Sequence, residues 1–324
     1  MKGKVLVTHR IPAEGLYELD KDFEITVPDK KHFSYEELEE IIPEYDALIP
    51  VFGFEVDNNL MKKGERLKII ANYGVGYNNI NVQAASDKGI SVTNTPESVI
   101  EPTAELTLAL LLSLVRRVSE LDTKLKNKEP IEWDVMSNLG HTLENKTLGI
   151  IGMGNIGKSV ALKAHTFGMN ITYYTRTPLS YTDEKTYFAK YLSFVNLIEN
   201  ADVISLHIPL REDTRHLLDE EQFRRMKKGV FIVNTARGAV INEKMLVKYL
   251  QNNHLGGAGL DVFEFEPEIR PELLEMKNVV LCPHIGSANY ETRKTIAEEA
   301  AKNIAAYFRD ETPPNIVNKK ALSK

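Results

Sequence analysis

The chain has 324 residues, with 40 Lys and Arg against 46 Asp and Glu, which leaves a formal net charge of −6. At about 150 residues per domain this length predicts two domains, and the mild negative charge argues against a protein that tracks nucleic-acid phosphates. A hydrophobic fraction of 43% and a charged fraction of 27% exclude wholesale disorder. The one cysteine, Cys282, excludes a disulfide framework and a cysteine-based metal centre.

The amino-terminal stretch MKGKVLVTHRIP has an apolar run too short for a signal peptide. The longest apolar run, residues 106–115, has about half the length that a bilayer requires. We therefore expect a cytoplasmic protein that binds no metal and has neither a membrane nor a nucleic-acid partner.

The first third of the chain alternates short apolar runs with amphipathic stretches. Strands are predicted at 4–10, 24–28, 47–52, 67–74 and 90–96, and helices at 12–19 and 35–42. Strands that alternate with helices favour a parallel sheet covered on both faces. The turn at Pro96 is a candidate domain boundary.

A helix is predicted next, because Ser98 and Glu101 have the spacing of a capping box and Pro102 suits a first turn. Its run LTLALLLSLV is apolar nearly all round, so we expect burial on more than one side. A second alternation follows, with strands predicted at 147–154, 170–175, 202–209, 229–236, 257–263 and 278–284, and helices at 158–167, 219–226, 243–252 and 290–309. The sequence therefore predicts an α/β protein with two parallel sheets.

A glycine-rich segment, GMGNIG, runs from Gly152 to Gly157. Glycines at this spacing permit a tight turn, a close approach of backbone to a pyrophosphate, and close packing of helix on strand. The segment follows an apolar strand and opens a helix, whose first amides favour an anion. This context favours a dinucleotide site, and the alternative, a glycine-rich turn that binds no ligand, is less well supported.

The second strand of this unit ends at Thr175, Arg176 and Thr177, where NAD sites usually carry an Asp or Glu for the ribose hydroxyls. The missing carboxylate removes repulsion of a 2′-phosphate, and an Arg with hydroxyl neighbours can bind that group. We therefore favour NADPH slightly over NADH. The alternative is that Arg176 faces water beside the adenine.

Three charged motifs follow later strands: NTARG carries Arg237, DVFEFEP carries Glu264 and Glu266, and CPHIGSA carries His284. Open α/β sheets place their sites at such strand ends. Hydride transfer to a keto acid needs a cation for the substrate carboxylate and a proton donor that works near neutral pH. An Arg, and a His kept protonated by a Glu, meet these needs.

With these motifs the chain resembles the D-isomer-specific 2-hydroxyacid dehydrogenases, in particular the glyoxylate/hydroxypyruvate reductase and D-lactate dehydrogenase-like branch. The matching stretches are NYGVGYNNI (72–80), VTNTP (92–96), PTAELTLALLL (102–112), TLGIIGMGNIG (147–157), LHIPLREDTRHLL (206–218), FIVNTARGAVI (231–241), GGAGLDVFEFEP (256–267) and NVVLCPHIGSA (278–288).

The resemblance implies a catalytic set of three residues. Arg237 would bind the substrate carboxylate and polarise the keto group, His284 would be the acid/base, and Glu266 would be its charge partner. Glu264 would be a neighbour without that role. Hydride transfer from the reduced nicotinamide, with a proton from His284, would then give the D-2-hydroxy acid.

The resemblance also implies the binding residues. The amides of Val75 and Gly76 would complete the carboxylate pocket. The chain departs from the family pattern at Phe52, at the edge of that pocket, where a Phe would close over a small substrate, accept an apolar side chain or serve only for packing. Asp261 would take the nicotinamide carboxamide. The positions that match cofactor-lining residues are Thr103, Gly152, Gly154, Asn155, Ile156, Gly157, Thr175, Arg176, Thr177, Pro209, Thr214, Thr235, Ala236, Asp261, His284 and Gly286.

For the architecture, the resemblance implies two doubly wound domains. A flavodoxin-like substrate domain would comprise 1–99 and 288–324, with a Rossmann NAD(P)-binding domain, 100–287, inserted into it. A homodimer would form through the helix that starts near Thr103.

Two alternatives stay open. The first is a dinucleotide-sensing scaffold like the C-terminal-binding corepressors, which keep much of the catalytic set. The second is a phosphoglycerate dehydrogenase without a regulatory domain, which we expect less because no such domain follows Asn318. The sequence leaves open the substrate side chain and the physiological direction of the reaction.

Overall fold

The computed structural model of the protein describes residues 3–51 and 53–319. The chain divides into two compact units, Met1–Val99 with Ser287–Lys324, and Ile100–Gly286. In sequence the second unit interrupts the first, and the return falls one residue before the predicted boundary at 287. The assignment of substrate binding to one unit and cofactor binding to the other stays a prediction.

The first unit is built on five strands: β1 Gly3–Val7, β2 Phe23–Thr26, β3 Ala47–Ile49, β4 Ile69–Ala71 and β5 Ser91–Thr93. All pair in parallel, in the order β2-β1-β3-β4-β5, which is the flavodoxin-like order. Every residue of β3, β4 and β5 is buried, as expected for strands covered on both faces. The helices of this unit are α1 Tyr35–Ile41, α2 Asn58–Lys63, α3 Val82–Asp87 and α12 Tyr290–Phe308.

The second unit is built on seven strands: β6 Thr147–Ile151, β7 Asn170–Tyr174, β8 Ala189–Tyr191, β9 Val203–Leu206, β10 Val230–Asn234, β11 Leu255–Leu260 and β12 Val279–Leu281. They pair in parallel in the order β12-β11-β10-β9-β6-β7-β8. Counted from the first strand of this unit, this is the Rossmann order with one strand added. The predicted fold class is confirmed.

The helices of the second unit are α4 Ile100–Val115, α5 Val118–Lys126, α6 Asn155–Thr166, α7 Tyr181–Thr186, α8 Phe194–Asn200, α9 Glu220–Arg225, α10 Glu243–Gln251 and α11 Pro271–Glu275. The long α4 packs against α6 and against β10 and β11. Its buried side chains include Leu108 and Leu110, which point about 160° apart around a helix. The predicted burial on more than one side is therefore confirmed.

Two local predictions are wrong. The predicted helix at 12–19 is only a 3-10 turn, Ala13–Leu16, because Gly15 lies against α12, where a Cβ would come within 2.4 Å of Ala297 Cβ. Ser98 and Glu101 form no capping box. The Ser98 hydroxyl donates to Glu299 at 2.6 Å, and the Glu101 carboxylate accepts from Ser159 at 2.9 Å.

Across residues 3–51 and 53–319, the structure contains no helix with the length and apolarity needed to cross a membrane.

Candidate active site

The glycine-rich turn joins β6 to α6, and its three glycines meet different surroundings. Gly152 has φ +100°, and a Cβ there would lie 2.4 Å from the His207 carbonyl oxygen. A Cβ on Gly157 would lie 2.2 Å from the Gly152 carbonyl oxygen. Both positions therefore require glycine for the chain to pack upon itself.

Gly154 differs, because a Cβ there would meet no protein atom within 4 Å. It is the N-cap of the 12-residue α6 and supplies no side-chain cap, so the amides at the helix start, Asn155 and Ile156 among them, are left for a ligand. Open space at a bare helix N-terminus fits a dinucleotide pyrophosphate. This is the observation that supports a nicotinamide cofactor here.

The residues predicted for the adenosine end follow β7 and β9. Thr175, Arg176 and Thr177 follow the last residue of β7, and the Arg176 side chain is 71% exposed. Arg176 Nη1 lies 4.0 Å from Asp213 Oδ2, a weak ion pair. The structure therefore leaves the guanidinium available to a ligand phosphate.

Pro209 and Thr214 lie in one turn after β9. The Thr214 hydroxyl donates to the Pro209 carbonyl at 2.8 Å and accepts from the Arg211 amide at 2.7 Å. Just before this turn, the amide of His207 donates to Ile151 at the end of β6. The backbone of His207 thus ties the two strand ends together, while its imidazole lies 2.8 Å, Nε2 to Oγ, from Ser205. Burial lowers the pKa of His207 to about 3, so this ring is neutral.

Hydroxyl groups bring three further predicted residues together. Thr103 on α4 donates to the Gly286 carbonyl at 3.4 Å, and Thr107 on the next turn lies 2.9 Å, Oγ1 to Oγ1, from Thr235 after β10. The helix that enters this unit therefore contacts two of the strand-end loops predicted to line the cofactor.

Arg237 is shaped by a buried asparagine that the sequence analysis did not single out. Asn234, the last residue of β10, accepts from the Ala236 amide at 3.0 Å and donates to the Arg237 carbonyl at 3.0 Å. These two hydrogen bonds fix the conformation of the loop, in which Arg237 Nη1 donates to the Ala236 carbonyl at 2.6 Å. An Asn at the end of an apolar strand is a turn signal, although it does not say which backbone groups the side chain contacts.

The Arg237 guanidinium is largely withdrawn from solvent. Burial lowers its pKa, and the nearby Glu266 carboxylate opposes that effect. Arg remains charged in proteins even so. A buried cation with few protein partners attracts an anionic ligand.

Asp261 lies after β11 and is 1% exposed. Its two carboxylate oxygens accept from the amides of Ile285 and Gly286, at 2.7 and 2.8 Å, and its carbonyl accepts from the His284 amide at 2.9 Å. Burial raises its pKa, against the opposing effect of these amides. Asp261 thus holds the segment that carries His284, and its predicted contact with a nicotinamide carboxamide stays a prediction.

His284 has a left-handed backbone, φ +53°, which is uncommon outside glycine and marks a constrained position. Its Nδ1 lies 2.8 Å from Glu266 Oε2, and the other oxygen of Glu266 accepts from the Phe263 amide at 2.9 Å. Burial opposes ionisation of Glu266, but these hydrogen bonds and the His284 charge prevail and lower its pKa. An ionised Glu on Nδ1 leaves Nε2 of His284 for a substrate.

Glu266, and not Glu264, is therefore the carboxylate beside His284. Glu264 Oε1 instead lies 2.6 Å from His216 Nε2, and the Glu264 side chain is only 4% exposed. Composition alone does not separate these two glutamates, which are two residues apart.

Val75 and Gly76 belong to the unit Met1–Val99, in the loop after β4. The buried Asn72 donates to the carbonyls of Gly74 and Gly76, at 3.0 and 2.9 Å, and Asn94 donates to the Val75 carbonyl at 2.8 Å. Among residues 3–51 and 53–319 the amides of Val75 and Gly76 have no hydrogen-bond partner, so both could bind a ligand. The prediction for Phe52 lies outside the described residues.

Residues 108–286 match the family model of the D-isomer specific 2-hydroxyacid dehydrogenase, NAD binding domain. The chain is 43% identical to a glyoxylate reductase of Thermococcus litoralis over 328 residues, which cover 100% of this chain and 99% of that protein.

Two solved structures are similar along their whole length. A glyoxylate reductase from Paecilomyes thermophila matches with a TM-score of 0.89 and 33% identity, covering 98% of this chain and 99% of that one. An NADPH-dependent glyoxylate/hydroxypyruvate reductase from Sinorhizobium meliloti, in complex with NADP and malonate, matches with a TM-score of 0.84 and 27% identity, covering 99% and 98%. The chain thus belongs to the D-isomer specific 2-hydroxyacid dehydrogenase family, and it is an NAD(P)-dependent oxidoreductase that acts on CH–OH groups.

Proposed function

We propose that this enzyme reduces a small 2-keto acid, such as glyoxylate, hydroxypyruvate or pyruvate, to the D-2-hydroxy acid. The observation that carries the proposal is the pairing of His284 with Glu266 at 2.8 Å, in the same unit as the partly buried guanidinium of Arg237. A protonated imidazole and a buried cation are the two groups that reduction of an anionic keto acid requires from the protein.

Arg237 binds the substrate carboxylate in this account. Its forked guanidinium makes two parallel hydrogen bonds to a carboxylate, and a largely buried site strengthens them. The carboxylate-pocket role of the Val75 and Gly76 amides, which the resemblance implies, stays a prediction. Small keto acids differ in the group beyond the keto carbon, so these contacts select the acid class and not the individual substrate.

His284 donates the proton. Glu266 holds Nδ1, which fixes the ring orientation and stabilises the imidazolium, and Nε2 donates to the keto oxygen. A bound reduced nicotinamide supplies the hydride. Because the imidazolium is the reactive form in this direction, keto acid reduction should persist at low pH and fall as the pH rises.

A panel of keto acids tests the proposal. Steady-state oxidation of NADPH and NADH should be measured with glyoxylate, hydroxypyruvate, pyruvate, 2-ketogluconate and larger keto acids. We expect turnover with at least one small 2-keto acid at a kcat/KM of about 10⁴ M⁻¹s⁻¹ or more. Binding of the cofactor without turnover of any keto acid would contradict the proposal and favour a dinucleotide-sensing scaffold. Turnover confined to 3-phosphohydroxypyruvate would favour a phosphoglycerate dehydrogenase.

NADPH is proposed as the slightly preferred cofactor, because Arg176 is exposed and position 175 carries Thr in place of a carboxylate. We expect Arg176→Asp to raise KM for NADPH by about 10- to 100-fold, the worth of one charge-assisted hydrogen bond to a phosphate. KM for NADH should change by less than about 3-fold, since its ribose hydroxyl bears no charge. Equal losses for both cofactors would mean that Arg176 does not recognise the 2′-phosphate.

A homodimer is proposed from exposed apolar side chains in the segment between α5 and β6. Trp133 is 89% exposed, Val135 86% and Met136 73%, and apolar groups so exposed favour a partner surface. The predicted interface helix, α4, also keeps exposed positions at Glu105 and Ala109. We expect sedimentation equilibrium to give about twice the 36.6 kDa of one chain, and Trp133→Ser to weaken association. A monomer at micromolar concentration would refute the dimer.

The predicted cytoplasmic location stays a prediction.

A further inference from the structure

A second cluster of charged residues adjoins the turn that carries Glu266. Its centre is a pair of buried carboxylates: Glu243 is 2% exposed, and the Glu264 side chain is 4% exposed. Burying two carboxylates in contact is costly, because both lose hydration and repel each other.

The two glutamates exchange backbone hydrogen bonds. The Glu264 amide donates to Glu243 Oε1 at 2.5 Å, and the Glu243 amide donates to Glu264 Oε2 at 3.3 Å. Glu243 is the first residue of α10. These bonds therefore tie the start of α10 to the turn formed by residues 263–268.

Basic side chains face the outer oxygens of the pair. Glu264 Oε1 contacts His216 Nε2 at 2.6 Å and Arg215 Nη2 at 3.9 Å. Glu243 Oε2 lies 3.5 Å from Arg270 Nε, and neither of these two atoms makes a hydrogen bond within the part of the chain that the structure describes. Burial raises the pKa of Glu243, although the Glu264 amide opposes that rise. Of the two carboxylate oxygens of Glu243, Oε1 is thus the one that accepts a hydrogen bond, from the Glu264 amide.

The turn that Glu243 holds is in contact with both catalytic segments. Gly238 follows Arg237 directly, and a Cβ there would lie 1.9 Å from the Phe263 carbonyl carbon. The Phe263 amide in turn donates to Glu266 Oε1 at 2.9 Å. A displacement of the backbone at Phe263 and Glu264 would therefore shift Glu266 and press on the Arg237 loop.

We propose that Glu243 is a positioning residue for keto acid reduction: its Oε1 holds the Glu264 amide, and thereby fixes the turn that presents Glu266 to His284. This inference rests on the proposed roles of Glu266 and His284. It predicts that the rate depends on the length of the side chain at position 243 and only weakly on its charge. Glu264 is the partner in the backbone exchange and does not contact His284.

Two substitutions at 243 separate reach from charge. Glu243→Gln keeps an oxygen at the same distance without the charge, and the 31%-exposed Arg270 has room to turn away from the new amide. Glu243→Asp keeps the charge at the start of α10, so the helix is preserved, but withdraws the oxygen by one methylene. We expect kcat of the Asp variant to fall by about 10- to 100-fold, the usual cost of displacing a catalytic group by about 1 Å. The Gln variant should stay within about 3-fold of wild type.

The pH profile distinguishes positioning from a general loss of structure. In Glu243→Asp the fall of kcat at high pH should move to lower pH, because protonated His284 is less well stabilised, while KM for NADPH stays within about 2-fold. Glu272→Ala, an exposed glutamate on α11, is the matched control and should behave as wild type. Activity lost in Gln but kept in Asp, both variants unchanged, or an Asp loss without a change of pH profile would each overturn the inference.

Glu266→Gln, measured in parallel, separates failure of this inference from failure of the proposed function. If its pH profile matches wild type, the proposed role of Glu266 fails. If Glu266→Gln shifts the profile and Glu243→Asp does not, only the role of Glu243 fails. Because Glu243 acts through Glu266, the double variant Glu243→Asp/Glu266→Gln should be at most about 3-fold slower than Glu266→Gln alone. If the losses of the two single variants multiply instead, Glu243 acts by another route.

Discussion

Replacing Arg237 by Gln is expected to lower kcat/KM for a small keto acid by about 10³-fold, the worth of two charge-assisted hydrogen bonds of about 2 kcal/mol each. The loss should appear in both kinetic constants, because the proposed role of the guanidinium is to bind the carboxylate and also to polarise the adjoining keto group. Affinity for NADPH, measured by fluorescence titration of the enzyme without keto acid, should change by less than about 3-fold, since the pyrophosphate site at Gly154 is not altered.

Arg237→Lys is the informative control for this experiment. It keeps a cation beside Glu266 but loses the planar fork, so it should recover only part of the activity. If Arg237→Lys is fully active, a point charge is sufficient and bidentate binding is wrong. If Arg237→Gln keeps its wild-type KM for every keto acid, Arg237 does not bind the carboxylate.

Replacing His284 by Asn is expected to lower kcat by about 10²- to 10⁴-fold, the usual contribution of a positioned general acid. Asn suits the test, because it tolerates the left-handed backbone that His284 adopts at φ +53° and so leaves the segment intact. The variant should bind NADPH with an affinity within about 3-fold of wild type, and its residual kcat should lose the high-pH fall.

His165→Asn is the matched control. This histidine lies in the last turn of α6, where its ring stacks on Phe188 at 3.9 Å between centroids, and its loss should not change kcat. Comparable rates for His284→Asn and wild type would remove His284 from the reaction. A loss of NADPH binding together with turnover would show that His284 holds the cofactor segment and would leave its role as acid unsupported.

The sequence predicted both sheets because the signals of their strands are strong and local, whereas the catalytic set came from the family resemblance and stays a prediction. Arg237 and His284 follow apolar strands in motifs of fixed order, and an open sheet collects such strand ends at one edge. The short helices α2, α3, α7, α8 and α11 and the strand β8 were missed, since segments of three to seven residues are too short to display a period. The predicted helix near Gly15 failed for a tertiary reason, the close approach of α12.

What the sequence could not predict is the network that holds the site. Glu243 accepts from an amide 21 residues away in the chain, which only the fold brings to it. Asn72 and Asn234 contact backbone groups two to four residues further along, in loops whose shape the sequence does not give. The buried pair of Glu243 and Glu264 also contradicts the expectation that glutamates lie at the surface. Such residues are identified from the hydrogen-bond partners of the buried polar groups, which only the folded structure gives.

The stereochemistry of the product tests the central claim most directly. With hydroxypyruvate and NADPH, the glycerate formed should be assayed with stereospecific enzymes for its two isomers. The account predicts D-glycerate alone, because Arg237 and His284 hold the carboxylate and the keto oxygen in one orientation toward the hydride donor. L-glycerate, or a mixture of both isomers, would contradict it.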